Sequence, residues 1–446
     1  MNKNTLGYLP NENPKLLSLL FFALQQTIVA MPATIIVALI TGFHLSTTIF
    51  ASGLATICFI LITGRKIPLY YGSSFSYLSA VAGVMSAQAM AGAGLDTQIG
   101  VAQFGIIMSG FVSIGAGLII RYVGKEVIDK VLPASVTGSV AMVIGLTLAS
   151  TALNDASYAP HLEAQNYAWI ISLTTLLSTI LYSVYLKGFW KQIPLLLGPL
   201  TGIAVAFVLR AVTGYQFFPS LAGLPTTVFA VPHFTLPIPS WAAVLAIMPI
   251  AIATIPESTA HIYQLDIYVD ELAKAKGKGP QGIANKLWLN LVGDGIGDIV
   301  SASIGGPAGT NYGENISAMA ITKVFSTSVL IVAAIIAMVI SFFTPLINAI
   351  YSIPVPVIGG LEIYLFGAIA AQGIAIIMEK GVSMFSPKNI AVIATVITIG
   401  VGGQYQFGGS IPFFGMNVPC VAAAAIAGIL LNLLLSFKSE ETSNVQ

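Results

Sequence analysis

The chain has 446 residues, of which 56% are hydrophobic and 8% charged, with a mean hydropathy of +0.89; an ordinary soluble domain is about 25% charged. Too few polar groups remain to wet a globule of this size, so lipid must be the solvent over most of the surface. Eighteen basic against 17 acidic residues leave a net charge of +1, which gives no footing for a nucleic acid or another polyanion.

A membrane helix needs about 20 mostly apolar residues. After a polar tail at 1–14, such runs are predicted near 15–41, 46–63, 75–91, 99–120, 131–151, 167–186 and 192–210. The first run continues past the length of a signal-peptide core without a good cleavage site and reads as a retained span. A connection at 211–240 leads to a second series near 241–262, 286–304, 313–323, 324–343, 354–378, 388–402 and 417–437, then a polar tail at 438–446. The run at 313–323 is too short to span alone. Residues 263–285, with Asp266, Asp270, Glu271, Lys274, Lys276 and Lys278, read as a surface loop or interfacial helix. Cys58 and Cys420 lie in apolar stretches and read as small core residues, not as a disulfide or a metal site.

The basic residues test this count. With the N-terminus inside, every Lys and Arg except Arg210 falls on the cytoplasmic side, as the positive-inside rule requires. The expectation is a cytoplasmic (inner) membrane protein with both termini in the cytoplasm.

Seven spans in each half is an odd number, so a repeated unit (15–210 and 241–437) must be inverted in the membrane. Pro133, Val136 and Gly138 recur as Pro354, Val357 and Gly359. Tyr71-Gly-Ser-Ser-Phe75 has a looser counterpart in Tyr312-Gly-Glu-Asn-Ile316. The expected fold is therefore an all-α polytopic membrane protein of fourteen segments in two inverted seven-segment repeats.

Two stretches, 67–75 and 305–313, hold helix-breaking residues just before a helical run. Each predicts an extended segment leading into a half-helix that starts within the membrane. Irregular backbone at that depth must be buried in protein or line a cavity. The two half-helices would aim their N-terminal amides at one point, where they could donate to a ligand's carbonyl oxygens; alternatively they are kinks that let helices pack.

Acidic groups inside spans are costly and read as sites. Glu257 and His261 are spaced i, i+4 late in the eighth span, share a helix face and can hydrogen-bond. In a low dielectric their proton affinities depend on each other and on a ligand, the chemistry of proton coupling; alternatively the pair ties helices together. Glu314 opens the second half-helix, where a carboxylate suits a ligand with N–H donors or stabilises the helix terminus. Asp294 and Asp298, also i, i+4, could bind a cation, relay protons, or bond the backbone of the broken segments. Glu362 could line a cavity, face a subunit contact or pair with an unseen donor. No clustered histidines, Cys pairs or phosphate loop point to a metal, a cofactor or a membrane enzyme.

The stretch Gly305-Gly-Pro-Ala-Gly-Thr-Asn-Tyr-Gly-Glu-Asn-Ile-Ser-Ala-Met-Ala-Ile-Thr-Lys323 resembles the signature of the nucleobase–ascorbate transporter (nucleobase:cation symporter-2) family, in particular its bacterial uracil permeases. Tyr71-Gly-Ser-Ser-Phe75 and Glu257-x-x-x-His261 resemble the same family, in the same order, and the likeness runs from about residue 15 to 437. It implies a core domain of segments one to four and eight to eleven, a gate domain of the rest, an elevator-like motion, and often a homodimer through the gate. It implies that Glu257 and Glu314 accept the N–H groups of uracil, that the amides of Phe75 and Gly313 donate to its carbonyls, and that Ala33 and Tyr312 contact the ring. His261 would support Glu257 and proton coupling, with Ser74, Gln26 and Asp294 as accessory residues. Ser317 and Lys323 stand where the signature usually has Gly and Arg, and Gln26 replaces a frequent histidine. Asp298 and Glu362 also depart from the pattern. Glu314 favours a pyrimidine over a purine, since purine-transporting relatives usually have Gln there; a xanthine permease is the alternative within the family. An anion exchanger of the same fold would need a basic pocket, which Glu257 and Glu314 oppose.

Overall fold

The computed structural model describes residues 7–85, 90, 92–124, 130–188, 190–414 and 416–443. Lys3, Lys125, residues 86–89 and 91 of the span predicted at 75–91, and the tail end at 444–446 lie outside the described residues. The first half runs α1 (Leu16–Thr41), α2 (Leu45–Ile62), β1 (Tyr71–Ser73), a 3-10 turn (Phe75–Tyr77), α3 (Leu78–Met85), α4 (Leu95–Val123), α5 (Ala134–Thr147), α6 (Ala149–Ala156), α7 (Gln165–Tyr185) and α8 (Pro194–Thr213). The second runs α9 (Trp241–Ile247), α10 (Ile250–Ala275), α11 (Leu287–Ser303), β2 (Gly309–Asn311), α12 (Gly313–Thr322), α13 (Thr327–Ile340), α14 (Thr344–Tyr351), α15 (Val355–Glu379) and α16 (Pro387–Phe407). A hairpin of β3 (Ser410–Phe413) and β4 (Met416–Pro419) precedes α17 (Cys420–Ser443).

Among the described residues, nine helical stretches are long and apolar enough to cross a membrane: 16–41, 45–62, 95–122, 134–156, 162–185, 194–213, 241–275, 355–379 and 387–407. Helices suit lipid because they satisfy their own backbone hydrogen bonds. Their contacts are made by small residues. Gly110 of α4 and Gly295 of α11 each face the other's carbonyl, as do Gly138 of α5 and Gly373 of α15, with no room for a methyl group. Close backbone approach of this kind holds membrane helices together where lipid supplies no hydrophobic drive.

Three elements depart from the expected pattern. The eighth span does not end at 262: α10 continues to Ala275, because its acidic residues have partners on the returning chain. Asp266 accepts from the amides of Ile283 and Ala284 at 2.6 and 3.0 Å, and Asp270 from that of Gln281 at 2.7 Å. The two-turn α14 and the β3–β4 hairpin also form where no separate element was expected.

The two broken stretches meet. β1 and β2 pair antiparallel, with Tyr71 opposite Asn311, Gly72 opposite Thr310 and Ser73 opposite Gly309. Glycine is required at the crossing: a Cβ on Gly72 would fall on the Tyr312 ring, and one on Gly309 on the Tyr71 ring. At one end of the molecule the chain start is tied down as well. Tyr8 exchanges backbone bonds of 2.8 Å with Lys323 and Phe325, while Glu12 pairs with Lys276 and, at 2.8 Å, with Lys278.

Candidate substrate site

Each strand delivers a helix start to the same place. Ser74 caps the turn after β1, its hydroxyl accepting from the Ser76 amide at 3.3 Å. Tyr312 is the N-cap of α12, so the amides of Gly313, Glu314 and Asn315 have no earlier helical carbonyl to bond. Around these starts lies a cavity of about 240 Å³, below the range of about 300–1,000 Å³ usual for drug-sized ligands. A small ligand fits such a space.

Its lining brings together Phe75, Glu257, His261, Tyr312, Gly313 and Glu314. Thr310 and Asn311 of β2, with Gln264 and Ser317, line it on the same side. The opposite wall is apolar apart from Thr137 of α5 and Gln372 of α15, set among Ala141, Ile144, Ile369 and Ile376. Two carboxylates, two helix starts and a Tyr ring thus face one small space.

The second-row contacts revise several expectations. Glu257 does not bond His261: its Oε2 accepts from the Ser76 hydroxyl at 2.9 Å. His261 Nδ1 is buried without a protein partner, as are Thr310 Oγ1 and Asn311 Oδ1. Its Nε2 stands 3.1 Å from where a Cβ on Gly313 would lie. One helical turn separates Glu257 from His261, but the two side chains serve different neighbours.

Ala33, Ser74, Gln26 and Asp294 do not line the cavity. Ala33 is buried within α1; beside it, Thr34 hydrogen-bonds the Tyr312 hydroxyl at 2.9 Å, so α1 sets the Tyr312 ring from behind. Gln26 holds α12 in place, taking Asn315 Nδ2 on its side-chain oxygen at 2.8 Å and on its carbonyl at 2.9 Å. Asp294 accepts from Ser258, Asn311 and Asn290 at 2.7, 2.8 and 3.1 Å. Asp298 Oδ1 accepts from the Tyr71 hydroxyl at 2.7 Å and the Gly309 amide at 2.8 Å. Of the roles open to these two acids, Asp298 bonds the backbone of a broken segment at the Gly309 amide, whereas the Asp294 carboxylate meets side chains, Asn311 of β2 among them. Glu362 is fully buried off the cavity, beside the carboxyl of Asp155; two carboxyls can share a hydrogen bond when one of them holds a proton.

Sequence reasoning missed Ser76, Gln264, Thr137 and Gln372. Gln264 lies seven residues past Glu257 and so on the same helix face, a signal that helical periodicity carries. Thr137 and Gln372 come from the opposite wall and carry none. The expectation of no clustered histidines is also corrected: the fold brings His44 and His233 onto Asp96, away from the cavity lining.

Residues 17–409 match the permease family Xan_ur_permease. The chain is 33% identical to the uracil permease of Bacillus caldolyticus over 453 residues, covering 100% of this chain and 98% of that one. It is 32% identical to the uracil permease of Escherichia coli (strain K12), covering 98% and 96%. Among solved structures it resembles SLC26A9 (TM-score 0.66, 11% identity, 94% of this chain and 65% of that one). It also resembles the transmembrane domain of the cyanobacterial bicarbonate transporter BicA (TM-score 0.63, 16% identity, 89% and 97%). These two likenesses concern the fold. By its family match and its full-length similarity to uracil permeases, the chain belongs to the Xan_ur_permease family, the nucleobase:cation symporter-2 permeases, and is a multi-pass membrane protein.

Proposed function

We propose that this chain is a symporter that imports uracil, or a closely related pyrimidine base, together with protons across the cytoplasmic membrane. The observation that carries the reading is the convergence of Glu257, Glu314 and the two helix starts at Phe75 and Gly313 on one cavity. Uracil is planar and neutral, with alternating C=O and N–H groups around its edge. Two carboxylates accept its N–H groups and two helix-terminal amides donate to its carbonyls; a site built this way rejects molecules that leave those groups unpaired. Tyr312, held by Thr34, contacts the ring, and Ala33 acts through this support. Glu257 and His261 carry the coupling, since both face the ligand space and can change protonation with its occupancy.

The nine long helical stretches, with the shorter ones at 75–85, 287–303, 313–322, 327–340 and 420–436, supply fourteen segments in this reading. The cavity then lies between a core that carries β1, β2, α10 and α12 and a gate that carries α5 and α15. Movement of the core past the gate exposes the site alternately to each side, and the gate is the surface through which two copies would associate. Both termini are cytoplasmic, in keeping with the ties of Glu12 to the Lys-rich 276–278 turn.

The test is radiolabelled uracil uptake into proteoliposomes under an inward proton gradient, competed by unlabelled xanthine, thymine and cytosine. The expected result is uracil accumulation that collapses with a protonophore. Accumulation of xanthine in place of uracil would overturn the pyrimidine assignment.

A further inference from the structure

The helix α1 is 26 residues long, about 39 Å at 1.5 Å per residue, so the turn that follows it lies at the opposite end of the molecule from Glu12. Three segments meet there. His44 sits in the turn between α1 and α2, Asp96 in the first turn of α4, and His233 in the connection before α9. His44 Nε2 is 2.8 Å from Asp96 Oδ1 and His233 Nε2 is 2.8 Å from Oδ2. The two imidazoles are 4.4 Å apart between ring centres, and the three ligating atoms all lie within 4.8 Å of one another.

The side chains of His44, Asp96 and His233 are 23%, 56% and 58% exposed, so an ion can reach them from solvent. Two imidazole nitrogens and one carboxylate oxygen are the donor set of Zn²⁺ and of neighbouring divalent transition metals. Ligand atoms about 2.0–2.2 Å from a tetrahedral ion stand about 3.3 Å apart. Insertion of an ion between nitrogens and oxygens now 2.8 Å apart therefore needs an opening of about half an ångström, with each Nε2 proton moved to Nδ1 or, from an imidazolium, released.

Hydrogen bonds hold the backbone under the cluster. The Thr47 hydroxyl donates to the His233 carbonyl at 2.6 Å, the Ile238 amide to the Gly100 carbonyl at 2.7 Å, and the Thr235 hydroxyl to Gln103 Oε1 at 2.9 Å. A site whose ligands are positioned by their surroundings spends little of its binding energy on ordering them.

We propose that His44, Asp96 and His233 form a binding site for a divalent transition-metal ion, Zn²⁺ in the first instance, with water completing the coordination. The bound ion clips the connection between the two halves onto α4 and the α1–α2 turn. The site shares no residue with the cavity, so it stands independently of the transported substrate.

The experiment is calorimetric titration of Zn²⁺ into the purified full-length protein in detergent, free of a polyhistidine tag and stripped beforehand with chelator. Thermal unfolding is followed in parallel. The expected result is one saturable site per chain, a Zn²⁺-dependent rise in Tm, and at least tenfold weaker binding in His44→Ala and His233→Ala. His161→Ala, an exposed histidine outside the cluster, should bind as the wild type does. Should His44→Ala misfold, the exposed His233→Gln variant carries the same expectation. Absence of a saturable site in the folded wild type would overturn the proposal and leave a hydrogen-bonded His–Asp–His contact. Undiminished binding by a folded His44→Ala/His233→Ala variant would overturn it equally.

Discussion

Ser76 holds Glu257: its hydroxyl donates to the carboxylate at 2.9 Å across the gap between the turn after β1 and helix α10. The first half-helix thus aims the acid that stands on the second half of the chain. A hydrogen bond to a charged group contributes about 1.5–3 kcal/mol. Ser76→Ala removes a donor from a buried carboxylate, so it should lower Tm and, with Glu257 no longer aimed, weaken uracil binding by at least about tenfold. Equilibrium binding of labelled uracil to the purified variant checks this; wild-type affinity would mean that Glu257 is aimed by something else.

Glu314 occupies the first turn of α12 and faces the cavity. Glu314→Gln keeps the shape but turns one of two acceptor oxygens into an N–H donor, which opposes a ligand N–H. Uracil uptake should fall at least tenfold, and far more than any purine uptake. Competition assays in proteoliposomes measure both, and wild-type-like uracil transport would remove Glu314 from the site.

Gly72 lies against the Tyr312 ring, which Thr34 holds from behind. A methyl group there cannot be absorbed by a flexible side chain, so Gly72→Ala must either swing the ring or part β1 from β2. Overpacking of this sort costs about 1–3 kcal/mol. The expected outcome is a lowered Tm together with lost uracil binding; a variant with both unchanged would show that the strands have slack.

Apolar run length carried most of the architecture, because in lipid a run of about 20 such residues has few structures open to it other than a helix. The breaks were legible too, since Gly305 and Gly306 weaken a helix and Pro307 lacks the amide that would continue it. The register was not: Tyr71 opposite Asn311 joins two three-residue strands from different halves, and nothing local selects one partner over its neighbours. The site was legible where one helix face carries it, as with Glu257 and His261. It was not legible where packing brings in a second element, as with Ser76, Thr137 and Gln372. His44, Asp96 and His233 escaped notice for the same reason, each being an unremarkable loop or helix-end residue until the turn, α4 and the connection meet. Asp294 and Asp298 were found by their setting, but their roles depended on which donors the fold places beside them.

Glu12 contributes a pH-dependent element at the opposite end. Burial raises its proton affinity, but bonds from Lys276, Lys278 and the Leu9 amide outweigh this and bring its pKa down from 4.5 to about 2. The group therefore releases its proton more readily in the folded state. Its stabilisation is fully present above pH 4.5 and fades as the pH falls towards about 2. Glu12→Gln should lower Tm at neutral pH and flatten the decline of Tm between those values. A decline as steep as that of the wild type would show that other carboxylates dominate acid unfolding.

Asp298 is the residue whose loss should separate stability from binding. Its Oδ1 takes both the Tyr71 hydroxyl and the Gly309 amide, one from each strand of the crossing, and it does not line the cavity. Asp298→Ala leaves the buried Gly309 amide without an acceptor, at about 1–3 kcal/mol, and the Tyr71 hydroxyl with only the Asp294 carbonyl at 2.9 Å, so Tm should fall. Asp298→Asn retains a carbonyl oxygen at the same position and should recover much of that loss. Were Asp298 a proton carrier, Asn would instead abolish proton-driven uptake while sparing Tm. Thermal unfolding and uptake measured on both variants distinguish the two roles: a structural fastener predicts that transport follows the fraction of folded protein, and that Asn outperforms Ala in both assays.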